Sequence, residues 1–193
     1  MDRPGKIRLL FAGICFVLFA WLMCIMVEKG QENSAVYLES EPVVVQEDEG
    51  KKIMYLTFDD GPSQNTQAVL DILEEYDANA TFFVTAEFSD YLHLIRAEKE
   101  AGHAIGVHTY SHRYDQIYAD SASYWDDVEK MQKIIEEQCG SRTSILRFPG
   151  GTSNTISQRY AQGIMSQLAE EAEQKQYAYY DWNATNGDGD TSL

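Results

Sequence analysis

The sequence predicts an α/β domain on a parallel sheet, open or closed into a barrel, preceded by a membrane helix. Three observations carry this. From residue 51 onward, short apolar runs alternate with longer segments of helical period. The first run, Ile53-Met54-Tyr55-Leu56, leads into Thr57-Phe58-Asp59-Asp60-Gly61-Pro62, so two carboxylates leave a strand end at a turn. Leu9 to Val27 pass nineteen positions without a charge, close to the ~20 apolar residues that cross a bilayer as a helix.

Taken in order, Arg3, Lys6 and Arg8 precede the uncharged run. By the positive-inside rule, residues 1–8 form a cytoplasmic stub and everything after the helix lies outside the cytoplasm. Residues 9–27 read as an uncleaved, single-pass signal anchor in the cell membrane. A cleaved signal peptide has a shorter apolar core and a small-residue cleavage site, which Glu28-Lys29-Gly30-Gln31-Glu32 does not offer. Residues 28–50 are an acidic linker, with Glu28, Glu32, Glu39, Glu41, Glu47, Asp48 and Glu49 around Val43-Val44-Val45.

Residues 51–193 are the folded domain. The predicted strands are Ile53 to Phe58, Ala80 to Val84, His103 to His108, Ser144 to Phe148 and Tyr177 to Trp182. Between them lie predicted helices from Thr66 to Tyr76, with Ala68, Val69, Ile72 and Leu73 on one face, and from Tyr91 to Ala101, closed by Gly102. A long helix starts near Ser121 or Ser123, carries a Trp125, Val128, Met131 and Ile135 stripe and ends at Gly140; another runs from Ile164 to Gln176. Strand-helix alternation of this kind implies parallel pairing. At 44% hydrophobic and 12% aromatic residues, the chain has the apolar content for a core. A formal charge of -16 without clustered cations excludes nucleic acid as a natural partner. Cys15 and Cys24 fall in the apolar helix, so Cys139 is the one thiol of the domain and reads as structural.

The strand ends carry the candidate chemistry. His108 closes a strand and His112 follows four residues later, a spacing that lets two imidazoles aim at one point. With a carboxylate from another strand end they make a two-His, one-Asp metal site with open positions; taken alone, the pair is a frequent coincidence. Arg147-Phe148-Pro149-Gly150-Gly151 also ends a strand. An arginine can clamp a carboxylate with two fixed donors, and Gly150 lets a backbone N–H approach a ligand. His93 reads as a surface or core residue and His103 as structural.

Thr57-Phe58-Asp59-Asp60-Gly61, His108-Thr109-Tyr110-Ser111-His112, Arg147-Phe148-Pro149-Gly150-Gly151 and Asp181-Trp182 together resemble the first four motifs of the polysaccharide deacetylase family, the NodB homology domain. The resemblance covers residues 52 to 182. It implies an incomplete, distorted (β/α) barrel and metal-dependent N-deacetylation of a cell-wall or chitin-like polysaccharide. Asp59 would be the general base, and Asp60, His108 and His112 the ligands of one divalent metal ion, zinc first and cobalt second. Arg147 would orient Asp59, and the Gly150 N–H would stabilise the oxyanion. Pro149, Asp181 and Trp182 would contact the polysaccharide, peptidoglycan or a chitin-like chain, with Trp182 walling the pocket. Many relatives carry Tyr at the position of Gly150; a backbone donor survives that change.

The resemblance also implies a fifth motif, a strand of Leu and Val ending in a general-acid His, some tens of residues after the Asp-Trp. Eleven residues follow Trp182 (193 minus 182), and none is His. The expectation is a domain cut before its last motif, with its metal ligands present and the leaving amine's proton donor missing. Two other readings stand beside this one: a membrane-tethered glycan- or metal-binding protein without catalysis, and an O-acetyl esterase of the xylan type using the same residues.

Overall fold

The computed structural model describes residues 52–185 and Gly187. The predicted anchor at 9–27, the stub before it and the linker at 28–50 lie outside the described residues. Among the described residues no helix is long and apolar enough to cross a membrane.

Five strands form one parallel sheet in the order of the chain: β1 (Leu56–Gly61), β2 (Ala80–Val84), β3 (Ala104–Val107), β4 (Ile145–Leu146) and β5 (Ala178–Tyr179). The connecting helices are α1 (Thr66–Glu75), α2 (Leu94–Glu100), α3 (Tyr114–Ile117), α4 (Ser121–Cys139) and α5 (Ile164–Gln174), with 3-10 turns at Ser89–Tyr91 and Ser157–Arg159. A strand order that never reverses is that of a barrel wall, whereas a doubly wound sheet reverses at its middle. The parallel α/β prediction holds. Among the described residues β1 and β5 are edges, and the sheet is not closed.

Several element boundaries move from their sequence positions. The first strand starts at Leu56 and runs through both aspartates to Gly61. Among the described residues its partner is β2, which begins opposite Leu56 at Ala80, and Ile53, Met54 and Tyr55 stand 55%, 81% and 72% exposed. In α1 the buried face is Thr66, Leu70 and Leu73. Ala68 and Ile72, expected on that face, are exposed. The second helix starts at Leu94 rather than Tyr91, after the 3-10 turn. The short α3 was not anticipated at all. β4 is two residues long, because the chain turns off the sheet after the Arg147 N–H bonds to the Val107 carbonyl at 2.9 Å.

α4 follows its sequence signals closely. The Asp120 side chain accepts from the Ser123 N–H at 2.8 Å, and Gly140 closes the helix with φ at 76°. Its apolar stripe buries Tyr124, Val128, Met131 and Ile135 in one core with Val107, Leu146 and Phe148, while Trp125, expected on that stripe, is only partly buried. The Cys139 thiol lies 4.0 Å from the Ile95 carbonyl, between helices, which is a packing position.

Side-chain alternation along the strands divides labour between the two faces. Phe58, Phe82, Val84, Ile105, Val107 and Leu146 point into the core shared with the helices. Thr57, Asp59, Phe83, Gly106, His108 and Arg147 have the opposite parity. Gly106 pairs with Phe83 in register, and a methyl group on it would sit 2.6 Å from the Phe83 ring. The missing side chain lets that ring lie across β3. The Arg147 guanidinium in turn rests 4.2 Å above it.

Candidate active site

Two clusters form at the carboxyl edge of the sheet, and the β1 backbone separates them. Asp59 pairs in register with Phe83, but the next residue in register is Gly61, opposite Val84. Asp60 is therefore a bulged residue, with φ at 66°. The Thr85 N–H bonds to the Gly61 carbonyl at 2.7 Å and its hydroxyl to the Asp60 carbonyl at 3.3 Å, which closes the ladder around the bulge. Asp59 and Asp60 thus aim apart.

Asp60 Oδ1 lies 3.5 Å from His108 Nε2 and 3.3 Å from His112 Nε2. One ligand atom from each of the three residues falls within 4.8 Å of the others. His108 is buried, and its Nδ1 sits 2.8 Å from the Arg147 carbonyl. That carbonyl can only accept, so Nδ1 carries the proton and Nε2 presents a lone pair toward Asp60. Burial, opposed in part by Asp60, holds the His108 pKa down to about 4, so the ring is neutral at physiological pH. Two imidazole nitrogens and one carboxylate oxygen are a donor set suited to a divalent transition metal.

The loop that carries His112 is bent into backbone conformations that side chains rarely adopt. Thr109 has φ at 75° and His112 at 52°. The Asp127 carboxylate, buried on α4, takes the N–H groups of Tyr110 and Ser111 at 2.6 and 3.0 Å on one oxygen. The Thr109 hydroxyl accepts the His112 N–H at 3.2 Å. Sequence reasoning missed Asp127. Its signal was an acid at a core-facing position among Tyr124, Val128 and Met131.

Asp59 belongs to the second cluster. Arg147 Nη1 reaches both Asp59 Oδ1 and Thr57 Oγ1 at 2.8 Å, while Nε donates to the Tyr180 carbonyl at 2.8 Å and Nη2 to that of Asp181 at 3.4 Å. The sequence suggested an arginine holding one carboxylate with two donors. The structure instead gives Asp59 one nitrogen and spreads the rest of the fork over β1 and the end of β5. Trp182, 46% exposed, lies 5.5 Å from the same guanidinium.

The loop after Arg147 is tied from three sides. Asp181 accepts the Thr152 N–H at 3.1 Å and the Thr152 hydroxyl. Tyr118, fully buried, donates to the Pro149 carbonyl at 2.7 Å, and Asn154 Nδ2 to that of Gly151 at 2.7 Å. Pro149 is therefore buried, with its carbonyl engaged inside the protein. Gly150 is exposed with φ at 77°, and its N–H has no hydrogen-bond partner among the described residues. Tyr114, half-buried, lies edge-on to His112 with ring centroids 5.5 Å apart. Burial, with Asp60 adding to it, holds its phenol above the ordinary range. A groove of about 500 Å³ opens beside the aspartates on the β1 side, walled by Phe58, Val69, Phe82, Phe88 and Tyr91.

The other two histidines stand apart. His93 is exposed ahead of α2, and His103 is buried against Phe82 at 5.3 Å. Burial lowers the His103 pKa, and its Nδ1 has no partner among the described residues.

A family model for polysaccharide deacetylase matches residues 46–167. The peptidoglycan-N-acetylglucosamine deacetylase of Bacillus cereus is 29% identical over 133 residues, covering 68% of this chain and 45% of the relative. The chitin deacetylase of Arthroderma benhamiae is 35% identical over 113 residues, 55% of this chain and 30% of the relative. The chain thus spans about half the length, or less, of such curated relatives. Among solved structures, the catalytic domain of peptidoglycan N-acetylglucosamine deacetylase from Eubacterium rectale superposes with a TM-score of 0.73 at 46% identity, over 75% of this chain and 66% of that one.

Proposed function

This chain belongs to the polysaccharide deacetylase family, and from that premise we propose that it hydrolyses the acetamide of N-acetylglucosamine residues in peptidoglycan or a chitin-like glycan. The products are acetate and a free sugar amine. The observation that carries the reading is the division of two adjacent carboxylates: Asp60 joins His108 and His112 in one donor set, while Asp59 is held 2.8 Å from Arg147 Nη1. The donor set would hold one divalent cation, zinc first and cobalt second. Such an ion lowers the pKa of water and polarises an acyl oxygen when bound.

The chain's own residues supply the rest. Asp59 takes the proton of the attacking water and returns it to the leaving nitrogen as the C–N bond breaks, and Arg147 keeps its carboxylate turned away from the metal ligands. The Gly150 N–H donates to the acyl oxygen as negative charge develops there. Trp182 offers a flat wall to a sugar ring, with Asp181 fixing the loop beside it. Proteins named for peptidoglycan and for chitin deacetylation among the relatives support this substrate class. The uncharged run from Leu9 to Val27 enters the same proposal as a membrane anchor, with the domain outside the cell. It is tested by whether the protein stays with membranes through a high-salt wash.

Acetate release from N-acetylglucosamine oligomers and from peptidoglycan tests the activity. The full chain, stripped of metal by a chelator, is expected to be inactive and to regain activity with zinc or cobalt. A folded, metal-loaded chain that frees acetate from neither substrate would sink the proposal.

A further inference from the structure

Tyr114 lies where a side chain on residue 150 would be. A methyl group added to Gly150 would sit 2.8 Å from the Tyr114 hydroxyl oxygen, well inside contact distance. The ring cannot easily yield, because it is wedged edge-on between His112 and Tyr118, each 5.5 Å away centroid to centroid. Asn154 crowds the same position, its Cβ 3.1 Å from that methyl. Gly150 is thus bare in a space that its neighbours have filled for it, and what fills it is a hydroxyl.

That hydroxyl has no hydrogen-bond partner among the described residues, and neither has the Gly150 N–H. Covalent geometry puts these two donors no more than about 5 Å apart. One oxygen atom at about 2.7–3.1 Å from each can accept from both. Tyr118, one helical turn further along, is by contrast already committed to the Pro149 carbonyl at 2.7 Å.

We infer that Tyr114 is a catalytic residue of this site, its hydroxyl donating beside the Gly150 N–H to the acyl oxygen as that oxygen becomes an oxyanion. The inference rests on the deacetylation reading above. The bare Gly150 and the tyrosine from α3 form one unit: the glycine gives the backbone donor room, and the tyrosine adds a side-chain donor that position 150 itself lacks.

Tyr114→Phe removes the hydroxyl and keeps the ring against His112. In the full, zinc-loaded chain it is expected to lower kcat about 100-fold, with KM changed less than threefold and the melting temperature kept. The affinity for acetate, read by calorimetry, is expected to fall about tenfold. A residue that only packs would give the reverse: lowered melting temperature with kcat and acetate affinity unchanged, and that result overturns the inference. Tyr114→Phe matching the active parent in kcat overturns it while leaving the deacetylation reading intact. If the parent frees no acetate from any N-acetylated glycan, the deacetylation reading fails, and acetate affinity alone decides for Tyr114. Equal acetate binding by the two proteins, or none by the parent, then counts against it.

Discussion

Asp59 and Asp60 are neighbours with different work, and a single unpaired residue in the β1–β2 ladder is the cause. A regular strand would already put consecutive side chains on opposite faces. The bulge goes further: it places Asp60 at φ 66° and turns it across the strand end toward His108 and His112, while Asp59 keeps its register against Phe83 and its contact with Arg147. The two roles are therefore separable by mutation. Asp59→Asn preserves shape and removes the base, so acetate release is expected to fall about 10²- to 10⁴-fold. Zinc content, measured by atomic absorption on the same sample, is expected to stay at the parent level. Joint loss of metal and activity would show that the two carboxylates act as one unit.

At the scale of elements, the site depends on how α4 holds a loop that its own residues would not hold. The Thr109 and His112 backbones lie in a region costing on the order of 1–3 kcal/mol each, and such a conformation persists only when its surroundings over-determine it. Asp127 is the principal restraint, bridging 17 residues to Tyr110 with one buried oxygen. Asp127→Ala leaves two backbone donors unpaired and is expected to weaken zinc about 10- to 100-fold, by analogy with the loss of a group that orients a ligand. Competition against a chromophoric chelator measures this. Asp127→Asn retains an acceptor oxygen and is expected to recover most of the affinity; no recovery would mean the carboxylate charge, and not the hydrogen bonds, holds the loop.

For the whole molecule, the exceptional group is Glu98 on α2. It is fully buried, neither carboxyl oxygen has a partner among the described residues, and burial pushes its pKa up to about 8. The folded state therefore holds this proton more tightly than the unfolded chain, where the value is near 4.5. Its contribution is complete below about pH 4.5 and is lost as pH rises through about 8. The melting temperature is expected to decline across that window, and Glu98→Gln to flatten the decline and raise the value above pH 8 by about 5 °C or more. Calorimetric scans of both proteins from pH 5 to 9 decide it; parallel curves would show that Glu98 reaches solvent or a partner.

Much of this protein is determined by local sequence alone. The parallel α/β class follows from apolar runs alternating with helical periods, and Asp59, Asp60, His108 and Arg147 stand out by their place at strand ends, where parallel sheets open to ligands; the roles of the candidate residues, Pro149, Asp181 and Trp182 included, follow from the resemblance to polysaccharide deacetylases. Those signals are short-range, so they can be read along the chain. What only the tertiary structure decided is how distant pieces constrain one another: the bulge that turns Asp60, the sharing of the Arg147 fork among Asp59, Thr57 and the end of β5, the Asp127 clamp, and Tyr114 over Gly150. Each is a contact between segments 16 to 90 residues apart or a ladder irregularity set by a neighbouring strand. No period in the sequence encodes them, because their geometry exists only once the strands have paired and the helices have packed.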